Sequence, residues 1–231
     1  MKHKDKFKIL VVDDEEDILE LLEYNLSKEG YDVKTAENGK EAIEIAKSFI
    51  PHIILLDIMM PSMDGIEACK RLKDLPELSK SFILFLTART EEYSEVAAFD
   101  AGADDFIAKP IKPKALLSRL SAILKREKKK SEEKVTVLKA GDLVIDRNTY
   151  IVYKGEKEVV LPRKEFELLF FLVANENKVF NRDELLQKVW GTDVYVLSRT
   201  VDVHIRKVRE RLGEEYIKTI KGVGYKFELD D

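Results

Sequence analysis

The stretch ILVVDDEEDILELLEYNLSKEG, residues 9–30, sets the pattern for the first half of the chain. Its first four residues are an unbroken apolar run, as expected of a strand buried on both faces. Asp13 and Asp14 follow at once. Residues 15–28 then place apolar side chains at 18, 19, 22 and 26, one face of a helix, and Gly30 supplies a stop signal.

Working outward, the same unit recurs. Residues 53–56 and 82–86 are further continuous apolar runs, and 31–36 and 105–108 are weaker strand candidates. Helix-like stretches at 39–49, 66–74, 91–101 and 114–125 complete the alternation. Five strand–helix units in series predict an α/β, doubly wound, five-stranded parallel sheet, because parallel neighbours need crossover helices. The pattern stops at residues 125–134 (KREKKKSEEK), which read as a solvated extension of the last helix or a flexible linker rather than a nucleic-acid patch. Beyond it lie strand-like segments at 143–146, 150–153 and 158–161, helix candidates at 164–175, 182–189 and 197–212, and a terminal hairpin at 216–220 and 225–229 around Gly222 and Gly224. Helices closed by a hairpin suggest an α+β winged helix. The expected organisation is residues 1–124, a linker at 125–134, and residues 135–231.

Composition supports the division. The 231 residues carry a net charge of −4, but residues 1–124 account for −7, residues 125–134 for +3 and residues 135–231 for zero. Two units with different partners fit that asymmetry. No apolar run exceeds seven residues, far short of the roughly 18 needed to cross a bilayer. A secretory signal is not expected either, since the basic start runs through residues 9–12 straight into acids. The single Cys69 can form no internal disulfide. A cytoplasmic chain without a membrane partner is expected.

Asp13 and Asp14 follow the first strand and Asp57 follows the third. In open parallel sheets, ligands bind beyond the carboxyl ends of strands where strand order reverses, so these acids are expected to meet. Converging carboxylates repel one another unless they take up protons or a cation, and hard oxygen ligands with room for water favour Mg²⁺. By themselves the acids read more simply as caps of the following helices. Thr87 after the fourth strand and Lys109 after the fifth change that balance, adding a hydroxyl and an ammonium at the same rim. A carboxylate nucleophile, a divalent ion, a hydroxyl and a lysine make a phosphoryl-transfer site, with Asp57 attacking phosphorus.

Residues 9–14 (ILVVDD), 55–65 (LLDIMMPSMDG), 86–89 (LTAR) and 101–110 (AGADDFIAKP) resemble bacterial response-regulator receiver domains, over essentially all of 7–125. The resemblance implies that Asp57 is the phosphoacceptor, loaded by a sensor histidine kinase. Asp14 and Asp57 would bind Mg²⁺ directly, Asp13 through water, and the Met59 carbonyl would add a ligand. Thr87 would turn toward the phosphoryl group, Lys109 would pair with it, and Phe106 would be the switch aromatic, where many relatives have Tyr. Lys109–Pro110 is usually a cis peptide in the family. Met59 and Arg89 occupy variable positions beside the site. Relatives of the OmpR/PhoB type form a homodimer on phosphorylation through the face carried here by 91–101, 104–108 and 114–126. On it Val96, Phe99 and Leu117 would form an apolar patch, and Asp104 and Asp105 would meet Arg126 and Arg119 of the second copy. Glu95 and Ala115 stand where relatives place another ion pair.

In the second half, residues 197–212 carry an apolar stripe at Val201, Val203, Ile205, Val208 and Leu212, with Arg199, Arg206, Lys207, Arg209 and Arg211 against Asp202 and Glu210. The excess of positive charge suits double-stranded DNA, although an ordinary amphipathic helix reads the same way. Residues 179–191 (VFNRDELLQKVWG), 199–209 (RTVDVHIRKVR) and 219–227 (TIKGVGYKF) decide it by resembling the OmpR/PhoB winged-helix domain, across 137–229. That resemblance implies a supporting helix ending at Trp190, a recognition helix from Arg199 to Arg209 and a wing near the minor groove. Arg199, Thr200, His204, Arg206, Lys207, Arg209, Thr219 and Lys221 would face DNA, with His204 alternatively serving packing. Pro162, Arg163, Lys164 and Glu165 replace the family's Thr-Pro helix start.

The expected function is a phosphorylation-dependent DNA-binding transcriptional regulator of a two-component system, not an enzyme, with the transcription machinery as a further possible partner. One alternative is a phosphohydrolase of the haloacid dehalogenase kind, which needs an acid two residues after the nucleophile, where this chain has Met59. Another is a constitutive DNA-binding protein with a receiver kept only as a scaffold.

Overall fold

The computed structural model describes residues 7–88, 101–131, 136–191 and 199–229. The helix candidate at 91–101 falls outside them apart from its last residue, as do Arg89, Glu95, Val96, Phe99 and the side chain of Arg126. The chain divides into two compact units, residues 1–128 and 129–231.

The first unit runs β1 (Lys8–Val12), α1 (Glu16–Lys28), β2 (Asp32–Ala36), α2 (Gly39–Phe49), β3 (Ile53–Asp57), α3 (Gly65–Lys73), a 3-10 turn (Pro76–Leu78), β4 (Phe82–Ala88), β5 (Asp105–Lys109) and α4 (Pro113–Ser131). The strands form one parallel sheet in the order β2-β1-β3-β4-β5. Ile9 to Val12 and Ile53 to Leu56 are wholly buried, which is why these strands read as unbroken apolar runs. One core cluster joins them to Leu19, Leu22 and Leu26 of α1 and Leu116, Leu120 and Leu124 of α4. Each fully buried leucine contributes about 1.5–3 kcal/mol relative to an exposed one.

Asn38 caps α2 by accepting from the Lys40 and Glu41 N–H groups, and Asp64 caps α3 by accepting from Glu67 N–H. Each satisfies donors that a helix start leaves unpaired. Gly65, the first residue of α3, lies hard against the end of β3. Its N–H donates to the Ile58 carbonyl at 2.9 Å, and a Cβ there would run into the Asp57 carbonyl oxygen. The basic stretch after residue 124 is no open linker at its start, because α4 continues to Ser131.

The second unit opens with an antiparallel sheet of β6 (Val137–Ala140), β7 (Leu143–Asp146), β8 (Ile151–Lys154) and β9 (Lys157–Val160), in that order. β6 escapes sequence reading because it is short and its side chains alternate between exposed and half-buried until Ala140. Then come α5 (Arg163–Val173), α6 (Arg182–Leu185) continued by a wider π turn (Leu186–Trp190), α7 (Thr200–Leu212), and a hairpin of β10 (Ile217–Ile220) and β11 (Gly224–Phe227). Asn181 and Glu184 form a reciprocal capping box at the start of α6. Pro162 caps α5 without a side-chain bond. The N–H and C=O groups of Phe180 and Tyr225 exchange hydrogen bonds at 2.9 and 3.0 Å, tying the hairpin to the chain before α6. Glu167 of α5 is buried with Arg147 at 2.7 Å and the Tyr150 hydroxyl at 2.7 Å. Among the described residues no helix is long and apolar enough to cross a membrane.

Gly65→Ala should destabilise the first unit, since backbone rather than a flexible side chain occupies the space. Thermal unfolding should show a midpoint lowered by several degrees, about 1–3 kcal/mol of overpacking; an unchanged midpoint would show that α3 can retreat from β3 freely.

Candidate phosphoacceptor pocket and nucleic-acid interface

Strand order reverses between β1 and β3, with β2 lying to one side and β4 and β5 to the other. The carboxyl ends of these two strands therefore flank a crevice. Asp13 stands at the end of β1 and is wholly buried, Asp14 beside it is exposed, and Asp57 closing β3 is 5% exposed. One carboxylate oxygen from each lies within 4.8 Å of the others. Register carries the remaining groups to the same rim: Asp57 pairs with Leu86, Thr87 with Ala108, and Ala88 with Lys109. Thr87 is half-buried there.

The Lys109 ammonium reaches Asp13 at 3.0 Å, Asp57 at 3.1 Å and Glu15 at 3.1 Å. Glu15 has no counterpart in the sequence reading; its place two residues after Asp13 in the same turn is the only signal that could have found it. Asp57 Oδ2 accepts the Met59 N–H at 3.0 Å, and Asp13 Oδ1 accepts the Glu15 N–H at 3.1 Å. The capping alternative weakens here, because Glu15 occupies the cap position of α1 and makes no side-chain cap bond. Met59 turns its side chain outward, 72% exposed.

Burial pushes the carboxyl pKa values of Asp13 and Asp57 up, with Lys109 acting in the opposite sense on both. For Lys109, burial works against the ammonium, but Asp13, Asp57 and Glu15 outweigh it and raise its pKa. Three carboxylates around one ammonium leave excess negative charge at a partly exposed rim. With Asp14 beside them and open to water, Asp13 and Asp57 make a hard-oxygen donor set that fits a divalent cation keeping some of its waters.

Below the rim, Phe106 of β5 is buried and stacked on Phe85 of β4 at 5.8 Å. The Lys109–Pro110 peptide is cis. Two expectations about the neighbouring face change. Asp104 is buried, paired with Lys73 at 2.6 Å and bonded to the Ile83 N–H at 2.8 Å. Asp105 is held by Arg119 of the same chain, with Nε donating at 2.8 Å. Both acids are thus engaged within one protomer, because β5 places them over α3 and α4. Leu117, expected on an apolar surface patch, is partly buried against the core.

In the second unit, Arg199 at the cap of α7 and Arg206 and Glu210 on it face outward, with Lys207 and Arg209 half-buried. Arg206 lies 3.5 Å from Glu210. Arg209 bends back to the hairpin, its guanidinium donating to the Ile217 carbonyl at 2.6 Å and to Thr219 Oγ1 at 2.8 Å. Thr219 and Lys221 are exposed on the hairpin. Two expected DNA-facing residues are not on this surface. Thr200 and His204 are each 1% exposed, and His204 packs on the Trp190 ring at 5.1 Å, beside Glu165 at 3.9 Å. The helical period puts 200, 201, 204, 205 and 208 on the side turned to the unit's core.

A receiver-like unit followed by a winged-helix unit defines a class, the DNA-binding response regulators of two-component systems. Residues 9–121 match the response regulator receiver domain, and residues 156–227 match the C-terminal domain of transcriptional regulatory proteins. The chain is 42% identical over 225 residues to the phosphate regulon transcriptional regulatory protein PhoB of Rhizobium meliloti strain 1021, covering 96% of this chain and 98% of that one. It is 43% identical over 233 aligned positions to the alkaline phosphatase synthesis transcriptional regulatory protein PhoP of Bacillus subtilis strain 168, covering 96% of each. Among solved structures, a point mutant of RitR superposes with a TM-score of 0.76 at 29% identity, covering 97% of this chain and all of that one. The chain belongs to the OmpR/PhoB subfamily of response regulators and is a transcriptional regulator of the two-component type.

Lys109→Ala removes a cation that lowers both buried carboxyl pKa values. Without divalent cations, carbon-detected NMR titration should find the Asp57 carboxyl pKa higher than in the parent; an unshifted titration would remove Lys109 from the electrostatics of the pocket.

Proposed function

We propose that Asp57 accepts a phosphoryl group from the phosphohistidine of a partner sensor kinase, and that the modified protein binds double-stranded DNA as a dimer to regulate transcription in the cytoplasm. The observation that carries this reading is the gathering of Asp13, Asp14, Asp57 and Lys109 at the rim where strand order reverses. In the transfer, a carboxylate oxygen of Asp57 forms the new bond to phosphorus as the bond to the kinase's imidazole nitrogen breaks. Lys109, already 3.1 Å from Asp57, stays to offset the charge of the incoming group. The Met59 N–H holds the carboxylate's orientation.

Mg²⁺ would be held by Asp14 and Asp57 directly, by Asp13 through water and by the Met59 carbonyl, and when bound it neutralises phosphoryl oxygens. Thr87, on the same rim, turns to the phosphoryl group and leaves space that Phe106 tracks. The position two residues after Asp57, where a hydrolase would need an acid, carries the outward thioether of Met59. This supports a regulator that stores the acyl phosphate rather than an enzyme that turns it over.

The dimer forms through the face of β5 and α4. Because Asp104 and Asp105 already pair with Lys73 and Arg119 inside the protomer, ion pairs across the dimer require an exchange of partners. DNA is met by Arg199, Arg206, Lys207 and Arg209 of α7, with Thr219 and Lys221 of the hairpin. Thr200 and His204 support the helix from beneath.

Asp57→Asn should abolish alkali- and hydroxylamine-labile labelling by a small phosphodonor such as acetyl phosphate, and chelating Mg²⁺ should do the same to the parent protein. Labelling that survives either treatment refutes the site. Arg206→Ala should weaken DNA binding and, if Arg206 contacts phosphate, lower the slope of log K against log salt by about one; fluorescence anisotropy across a salt series measures both.

A further inference from the structure

The charged groups between α6, α7 and the hairpin are joined at one carboxylate. Asp202 lies on the edge of α7 that turns toward the hairpin, one turn before Arg206 and two turns before Arg209. Its Oδ1 accepts from Arg182 Nε at 2.7 Å and from the Tyr225 hydroxyl at 2.7 Å. Arg182 Nη2 donates to the same hydroxyl at 3.4 Å. The Tyr225 ring lies under two guanidiniums, Arg182 at 5.3 Å and Arg209 at 5.8 Å. Arg209 in turn grips the Ile217 carbonyl and Thr219. One acid thus connects the first residue of α6, the outer edge of α7 and β11, and Arg209 over the Tyr225 ring carries the linkage on to β10.

The position of this acid is at odds with plain affinity for DNA. Asp202 and Arg182 keep side-chain exposures of 39% and 37%, so both stand at the surface that carries Arg199 and Arg206. A carboxylate there repels phosphate, and it neutralises a guanidinium that would otherwise add to sequence-independent attraction. We propose that Asp202 is a specificity-determining residue of the DNA interface: it cancels the charge of Arg182 and, through Tyr225, fixes the angle between α7 and the hairpin. Duplex of the wrong sequence, which is held by charge alone, is thereby disfavoured. The right sequence meets a helix and a wing already set in one geometry. The inference rests on the reading of α7 as the groove-contacting helix.

The test uses the full chain and two duplexes of equal length, one enriched by the parent protein from a random-sequence pool and one a shuffle of it. Asp202→Asn keeps the shape and an acceptor for Tyr225 but removes the charge. It should bind the shuffled duplex several-fold tighter at low salt, with a salt slope steeper by about one, and the ratio of the two affinities should fall by about tenfold. Tyr225→Phe keeps the Arg182–Asp202 charge pair but loses the hydroxyl. It should leave the shuffled-duplex affinity unchanged and weaken only the enriched one. If Asp202→Asn alters both affinities by the same factor, or lowers both in step with a lower unfolding midpoint, the residue is structural only and the proposal falls. Arg206→Ala is measured beside them. If it leaves both affinities untouched, the groove reading of α7 fails, an outcome separate from the behaviour of Asp202.

Discussion

Three carboxylates and one ammonium gathered at the rim of a parallel sheet impose the constraint on which the first unit depends. Asp13 and Asp57 are buried and so are pushed toward protonation, while Lys109 within 3.1 Å of both pulls them back toward the charged state. The assembly can tolerate this because every member is anchored in backbone at a strand end. Lys109 comes from β5, Asp57 from β3 and Asp13 from the turn after β1, so none can move without its strand. Gly65 adds a further restraint, since α3 can begin only by packing its first residue onto the Asp57 carbonyl. The site is stiff by construction while remaining short of positive charge, which is the condition under which an added cation or phosphoryl group has the largest effect.

The second unit treats charge differently. Much of it is committed internally: Glu167 with Arg147, Lys154 with Glu215, Arg209 with the hairpin, Arg182 with Asp202. A buried pair such as Glu167 with Arg147 is weak evidence for net stability, because desolvation offsets most of the attraction, but losing one partner costs about 3–5 kcal/mol. The effect of these pairs is to fix orientation. For a DNA-binding module, whose elements must hold one mutual geometry, orientation matters more than added stability.

Legibility in the sequence tracked the strength of the periodic signal. Continuous apolar runs at 9–12 and 53–56 marked both-face burial, and the helix at 39–49 was read with the bounds the structure gives it. β6 was not readable, since a four-residue edge strand that fully buries only Ala140 is too short for its alternation to stand out. The continuation of α4 to Ser131 was one of two readings left open, because a charged run is as compatible with helix as with linker. Within the pocket, each strand-end residue was legible, because topology alone brings strand ends together. Glu15 was not, since its role depends on where the Lys109 side chain reaches. The burial of Thr200, and the choice between packing and DNA left open for His204, were illegible for a related reason. A motif transfers residue identities, whereas burial depends on which side of α7 the neighbouring Trp190 and α5 occupy.

The burial of Thr200 and His204 bears on how such a helix would read DNA. With 200, 201, 204, 205 and 208 committed to packing, the outward stripe of α7 and the residue before it reduces to 199, 203, 206 and 210, flanked by half-buried Lys207 on one side and by 202 and 209 on the hairpin side. The stripe carries two arginines and one glutamate, and its hairpin-side flank carries one acid and one arginine already bonded elsewhere. So narrow a surface has few groups with which to discriminate bases. The geometry that aligns helix and hairpin must then supply a large share of any preference for sequence, which is why the bonds behind the interface matter as much as the side chains in front of it.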